Sequence, residues 1–136
     1  MKVLVVEDDL GSRRLISSII GSYCEIEEAS DGDEAVQAYC LAVADNKPFD
    51  CILLDLTLPT ISGLDALAQI RDLEEQNSIA LDQGVKVLIM SASKELEDVF
   101  NAEVLGCRSY LLKPLDKSKV ISSLKQVGII PEETGN

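Results

Sequence analysis

The chain has 136 residues, which is enough for one domain with a conventional hydrophobic core. Its 24 acidic and 12 basic side chains give a net charge of −12, which argues against binding to nucleic acid or to anionic membranes. Four cysteines without metal-site spacing, in a chain without histidine, make neither a zinc site nor a Cys-His dyad and favour reduced intracellular thiols.

Short apolar runs alternate with helical patterns along the chain. The predicted strands cover residues 3–6, 24–29, 51–55, 85–90 and 109–112. The near-continuous apolar sequence of the first and third strands is typical of parallel strands that are covered on both faces.

Apolar residues at helical spacing predict one helix after each strand. The first covers about residues 10–22 with Asp9 as its N-cap, and Ser62 caps the third, which fades through the polar stretch 74–84. The fourth stops at Gly106. The apolar positions are Ile16, Ile19, Ile20 and Tyr23 in the first helix, Ala35, Val36, Tyr39, Cys40 and Val43 in the second, Leu64, Leu67, Ala68 and Ile70 in the third, Leu96, Val99 and Phe100 in the fourth, and Val120, Ile121 and Leu124 in the fifth.

Five alternating strands and helices predict an α/β fold, a flavodoxin-like doubly wound parallel sheet in the order 2-1-3-4-5 with helices on both faces. In that order the first and third strands are neighbours, so Glu7, Asp8 and Asp55 converge at their carboxyl ends. Ser91 and Lys113 follow the fourth and fifth strands at the same edge. We therefore expect three acids, one hydroxyl and one ammonium group in one pocket.

This set of groups suits magnesium and phosphate chemistry. Close carboxylates repel one another unless their pKa values rise or a cation lies among them, and magnesium accepts carboxylates, a backbone carbonyl and water as ligands. Lys113 and Ser91 can hold a phosphoryl group opposite the metal, which makes Asp55 the candidate nucleophile for an aspartyl phosphate. Taken alone, Glu7-Asp8 is also typical of a helix N-terminus, and Tyr110 of a core aromatic.

Four segments together resemble the response-regulator receiver domains of two-component signalling, over nearly the whole chain. They are Leu4-Val5-Val6-Glu7-Asp8-Asp9, Leu53-Leu54-Asp55-Leu56-Thr57-Leu58-Pro59 with Ser62-Gly63, Met90-Ser91-Ala92, and Tyr110-Leu111-Leu112-Lys113-Pro114. Glu7 and Ser91 stand where Asp and Thr are more usual, and both variants occur in the family.

The resemblance implies a role for each site residue. Asp55 is the implied phosphoacceptor, with Ser91 and Lys113 in contact with the phosphate. Asp8, Asp55 and the Thr57 carbonyl are the implied Mg²⁺ ligands, with Glu7 holding the metal mainly through water. Tyr110 is the implied switch aromatic, which changes rotamer when Ser91 is drawn toward the phosphate.

The implied function is a phosphorylation-activated signalling switch of the single-domain chemotaxis-regulator type. A histidine kinase or histidine phosphotransfer protein supplies the phosphoryl group, and a target protein binds the face formed by helix 4, strand 5 and helix 5. Phosphorelay intermediate and phosphate sink remain alternatives. No enzymatic activity is expected beyond self-phosphorylation and autodephosphorylation.

Two other classes share parts of this pattern. A haloacid-dehalogenase-type phosphohydrolase needs a second aspartate two residues after the nucleophile, where this chain has Thr57. A flavodoxin-like FMN carrier needs a phosphate-binding loop after the first strand, where the acids 7–9 would repel phosphate.

The domain is expected over residues 1–127, followed by a frayed tail over 128–136. This length leaves no room for an output domain, so output is expected through protein contacts. No N-terminal run has signal-peptide character, and no segment reaches the roughly 20 apolar residues that span a bilayer. A cytoplasmic protein is expected.

Overall fold

A computed structural model describes residues 1–132 of the chain. The strands are β1 (Lys2–Val6), β2 (Glu25–Ala29), β3 (Cys51–Asp55), β4 (Lys86–Ser91) and β5 (Ser109–Leu112). The helices are α1 (Leu10–Ile20), α2 (Gly32–Ala44), α3 (Gly63–Gln76), α4 (Leu96–Val104) and α5 (Lys117–Gln126). All strand pairs are parallel and the order is β2-β1-β3-β4-β5, which confirms the predicted doubly wound fold.

Two apolar cores lie on the two faces of the sheet. Because successive side chains of a strand point to opposite faces, Leu4 and Val6 of β1 join the core beneath α2 and α3. Val3 and Val5 join the core beneath α1 and α5. Every residue of β3 is buried, as its continuous apolar sequence predicted. The centre of the sheet is therefore a rigid platform for the groups at its carboxyl edge.

The helix starts agree with the predicted caps. The Asp9 carboxylate accepts a hydrogen bond from the Ser12 amide (2.8 Å), and the Ser62 hydroxyl accepts one from the Asp65 amide (3.1 Å). The end of the first helix differs from the prediction, because α1 stops at Ile20. Tyr23 lies beyond it and is half-exposed rather than on a buried helical face.

Within residues 1–132, no helix combines the length and apolarity needed to cross a membrane.

A buried ion pair joins α3 to the start of β4, in a region where the sequence indicated only a fading polar helix. Arg71 donates to the Glu74 carboxylate (2.7 Å) and to the carbonyls of Val85, Leu105 and Gly106, and the Val85 amide donates to Glu74 (2.7 Å). A Cβ at Gly84 would strike the Glu74 carboxylate, so the close approach requires glycine there. The pair thus fixes the end of α3, the start of β4 and the loop after α4.

The expected frayed tail does not begin at Gly128. Ile129 and Ile130 are buried in the core beneath α1 and α5, and their amides donate to the Leu124 carbonyl. Apolar burial therefore holds the chain in place after α5. Residues 133–136 of the predicted tail lie outside the described residues.

The strand β2 forms one edge of the sheet and is acidic. Glu25, Glu27 and Glu28 are exposed there, and only Ala29 of the five described residues of β2 is buried. Two basic side chains lie against it, Lys2 at 3.5 Å from Glu27 and Arg13 at 2.8 Å from Glu28.

The Arg71–Glu74 pair yields a stability prediction. The substitution Glu74→Ala leaves the Arg71 guanidinium and the Val85 amide buried without their partner, which costs about 3–5 kcal/mol of unfolding free energy. Urea unfolding measures the difference. The matched control is Glu75→Ala, one residue along on the exposed face, for which a change within about 0.5 kcal/mol is expected. Equal losses in the two variants would contradict a stabilising role for the pair.

Candidate functional site

Strand register brings the predicted acids together. Val6 pairs with Leu54, so Glu7 and Asp55 follow side by side at the ends of β1 and β3. Carboxylate oxygens of Glu7, Asp8 and Asp55 all lie within 4.8 Å of one another. Glu7 and Asp55 are 2% and 3% exposed, whereas Asp8 faces solvent. The cluster thus has a buried side and an open side.

Lys113 joins the two buried acids. Its ammonium group donates to Glu7 (2.9 Å) and to Asp55 (2.8 Å), and its main-chain amide donates to the Ser91 carbonyl (2.7 Å), which holds β5 against β4. The other carboxylate oxygen of Asp55 accepts from the Thr57 amide (2.9 Å). Two donors on different oxygens therefore fix the orientation of the Asp55 carboxylate.

The charges in this cluster do not balance. Burial, followed by the adjacent Asp55, raises the pKa of Glu7 to about 7 against the opposing effect of Lys113. Burial alone would lower the pKa of Lys113, but its hydrogen bonds to Asp55 and Glu7 outweigh burial and raise it. One ammonium group therefore serves two buried carboxylates and does not fully compensate both.

Ser91 and Tyr110 are linked through a third residue that the sequence analysis did not single out. The Ser91 hydroxyl is buried at the end of β4 and accepts from the Ser93 amide (2.9 Å). The Tyr110 hydroxyl donates to the Ser93 carbonyl (3.0 Å). A path of two hydrogen bonds therefore connects Ser91 to Tyr110 through the main chain of Ser93. The position of Ser93, two residues after Ser91 in the loop at the carboxyl edge, was the sequence feature that could have indicated its place near the site.

Arg13 is a second residue near the site that the sequence analysis passed over. It donates to the Glu7 carbonyl (2.8 Å) and to the Glu28 carboxylate (2.8 Å), and so ties α1 to the ends of β1 and β2. Its place one turn into a capped helix gave no indication of this contact. Arg13 holds the main chain that carries Glu7.

A cleft of about 500 Å³ opens beside Glu7 and Lys113, between the first turns of α1 and the segments that follow β4 and β5. The residues that line it are Glu7, Ser12, Leu15, Ile16, Ala92, Lys113, Pro114 and Leu115. A small anionic group can reach Lys113 from this side, since the ammonium is partly exposed.

The donor set fits a hard divalent cation. Three carboxylates within reach of one another, one of them exposed to solvent, supply the oxygen ligands that magnesium prefers while leaving room for water. The unbalanced negative charge favours a cation at the same place. The arrangement therefore combines a candidate cation site, a fixed carboxylate and an ammonium group. Together these groups can bind and accept a phosphoryl group.

Comparisons with known proteins agree with this geometry. The family model described as response regulator receiver domain matches residues 3–125. The chemotaxis protein CheY of Treponema pallidum is 33% identical over 128 residues, which cover 93% of this chain and 81% of that protein.

Two solved structures are similar to this chain in both fold and sequence. The receiver domain of Saccharomyces cerevisiae Ssk1, crystallised with the histidine phosphotransfer protein Ypd1, is 29% identical with a TM-score of 0.81, covering 94% of this chain and 88% of that one. The CheX–CheY–BeF₃–Mg²⁺ complex of Borrelia burgdorferi is 27% identical with a TM-score of 0.77, covering 93% and 88%.

The raised pKa of Glu7 yields a pH prediction for the metal-free protein. The unfolded chain releases this proton near its usual pKa of 4.5, whereas the folded chain keeps it until about pH 7. The stability that neutral Glu7 contributes is therefore fully present below about 4.5 and is lost as pH rises through 7. In EDTA, unfolding free energy should fall more between pH 5.5 and 8 in the unmodified chain than in Glu7→Gln.

The control for this measurement is Glu25→Gln, an exposed acid on β2. It should follow the unmodified chain across the same pH range. A Glu7→Gln profile as steep as that of the unmodified chain would mean that Glu7 does not hold a proton in the folded state.

Proposed function

The chain belongs to the response regulator receiver domain family and is a phosphorylation-activated signalling switch, and on this premise we propose that Asp55 accepts the phosphoryl group. The observation that carries the proposal is the Asp55 carboxylate itself. It is buried at the end of β3, it is held by Lys113 and the Thr57 amide, and it lies within reach of two further acids. Burial of a carboxylate costs stability unless it is paired and hydrogen-bonded, and here those bonds also fix the orientation that a nucleophile needs.

The transfer step is a substitution at phosphorus. An oxygen of Asp55 forms a P–O bond as the P–N bond of a donor phosphohistidine breaks, and the bonding electron pair leaves with the imidazole nitrogen. The donor chain is a histidine kinase or a histidine phosphotransfer protein. The pairing of the Ssk1 receiver domain with Ypd1 supports the second class of donor.

Glu7, Asp8, Asp55 and the Thr57 carbonyl are the residues that would hold Mg²⁺, with Glu7 acting mainly through water. When bound, the ion neutralises negative charge on the transferring phosphoryl group. Support comes from the oxygen donor set of the acid cluster and from the Borrelia burgdorferi CheY complex, which contains Mg²⁺.

Lys113 and Ser91 are the proposed contacts of the phosphoryl oxygens. Lys113 already donates to Asp55 (2.8 Å), so its ammonium group is in place for an anion bonded to that residue. The Ser91 oxygen accepts from the Ser93 amide, which leaves its own hydrogen to donate to a phosphoryl oxygen. The two residues come from neighbouring strands joined at their ends.

The proposed output face consists of α4, β5 and α5, with the Tyr110 rotamer as its switch. Leu96, Phe100 and Val104 recur every fourth residue of α4 and are 84%, 64% and 58% exposed. Such a row of large apolar side chains on one helix is characteristic of a surface that binds another protein.

Phosphorylation tests the proposed function. Incubation with phosphoramidate and Mg²⁺ should add the mass of one phosphoryl group, and the addition should be lost in Asp55→Ala and in excess EDTA. The matched control is Asp72→Ala, an exposed aspartate of α3, which should be labelled in full. Full labelling of Asp55→Ala would place the acceptor elsewhere, and continuous release of phosphate without a labelled protein would favour the phosphohydrolase alternative.

The output face has a separate test. Chain loaded with Mg²⁺ and with beryllium fluoride, which mimics the phosphoryl group, should retain target proteins from source-cell extract that the unloaded chain does not. Phe100→Ser should abolish this retention. The control Leu41→Ser changes an equally exposed residue of α2, at 65%, and should keep it. Loss of retention in Leu41→Ser alone would move the output surface to α2.

A further inference from the structure

Every polar atom of Ser93 is hydrogen-bonded, and the bonds lead in three directions. Its amide donates to the Ser91 hydroxyl (2.9 Å) and its carbonyl accepts from the Tyr110 hydroxyl (3.0 Å). Its own hydroxyl donates to the Asp98 carboxylate (2.7 Å) and accepts from the Glu95 amide (3.2 Å). Ser93 therefore contacts the site, the candidate switch aromatic and the first turn of α4.

The helix α4 is held mainly at its two ends. Among its nine described residues only Ala102 is buried. Its N-cap residue Glu95 makes no side-chain capping bond within the described structure. Instead, the Ser93 hydroxyl accepts a hydrogen bond from the Glu95 amide. At the other end Arg71 binds the carbonyls of Leu105 and Gly106. Because Arg71 belongs to a buried ion pair, this end is the rigid one.

The two ends of α4 therefore differ in what they are attached to. The carboxyl end is attached to the core through Arg71 and Glu74. The amino end is attached, through Ser93, to the hydroxyl of Ser91 that lies at the phosphorylation site. The amino end is thus the end of α4 that hydrogen bonds connect to Ser91.

We propose that the hydrogen bond from the Ser93 hydroxyl to the Asp98 carboxylate positions α4 according to the state of Ser91. This rests on the proposed function, since a phosphoryl group on Asp55 supplies the displacement of Ser91. When the Ser91 hydroxyl moves toward a phosphoryl oxygen, it carries the acceptor of the Ser93 amide with it. The Ser93 main chain follows, and the charge-assisted bond to Asp98 transfers the movement to the first turn of α4.

This route is distinct from rotation of Tyr110. The Tyr110 hydroxyl binds the Ser93 carbonyl, whereas Asp98 binds the Ser93 side chain. Substitutions at Asp98 therefore remove the second connection and leave the first intact. Asp98 and Ser93 act here as positioning residues, because they act through Ser91 and do not touch the phosphoryl group.

The chain offers a set of matched variants. Ser93→Ala and Asp98→Ala each remove the bond, while Asp98→Asn keeps an oxygen that can accept from the hydroxyl. Glu97→Ala removes a neighbouring acid from the same first turn of α4, so it controls for loss of negative charge at the helix amino end. Ser93→Ala also removes the bond from the Glu95 amide, so the comparison of Asp98→Ala with Asp98→Asn and Glu97→Ala isolates the Ser93–Asp98 bond.

Two measurements on the full chain read the coupling. The first is the change in amide NMR shifts of residues 96–104 on phosphorylation, with phosphoryl uptake checked by mass. The shift changes should fall about twofold or more in Ser93→Ala and Asp98→Ala, and be kept in Asp98→Asn and Glu97→Ala, with uptake retained in Asp98→Ala and Glu97→Ala. The second is hydrogen exchange of the same amides without phosphorylation, where the first two variants should lose protection.

The outcomes separate the two proposals. Unchanged shift changes in Asp98→Ala, or losses of the same size in Asp98→Asn and Glu97→Ala, would overturn the positioning role. If the unmodified chain takes up no phosphoryl group, the proposed function is wrong, and the exchange measurement then tests the Ser93–Asp98 bond by itself. Lower protection only in Ser93→Ala and Asp98→Ala supports the attachment of α4 through this bond. Equal protection in all variants overturns it.

Discussion

A single ammonium group, that of Lys113, holds two buried carboxylates in place at the carboxyl edge of the sheet. It donates to Glu7 on one side and to Asp55 on the other, and each of the three residues lies at the end of a different strand. Because no single element contains the site, the site exists only when β1, β3 and β5 are in register. The remaining excess of negative charge makes this edge responsive to anything that adds positive charge or rearranges Lys113.

The central parts of the site could be predicted from the sequence because they depend on strand ends. An apolar run that stops at Asp55 and another that stops at Glu7 leave little choice for where these acids lie, once both strands are parallel and adjacent. Lys113 follows from the same rule. The sequence could not show that Lys113 bonds to both acids, since that depends on side-chain distances across three strands.

Other features depend on tertiary contacts that periodicity does not encode. Arg71 and Glu74 stand three residues apart in a polar stretch, which is typical of a solvated helical pair, yet they are buried because the loop after α4 covers them. Leu96 and Phe100 correctly indicated a helix, but a regular apolar spacing does not reveal whether the apolar side meets the core or solvent. The burial of Ile129 and Ile130 likewise follows from the space beneath α1 and α5, and the short sequence after α5 gives no sign of it.

The acidic edge strand β2 limits the ways in which a partner can be recruited. An unpaired strand at the edge of a sheet is a template on which another chain can add a strand, in a partner or in an aggregate. Here Glu25, Glu27 and Glu28 would have to lose their hydration to admit one, and the added strand would meet three carboxylates along its length. Strand addition at the β2 edge is therefore disfavoured, whether the added strand comes from a partner or from a second copy of this chain.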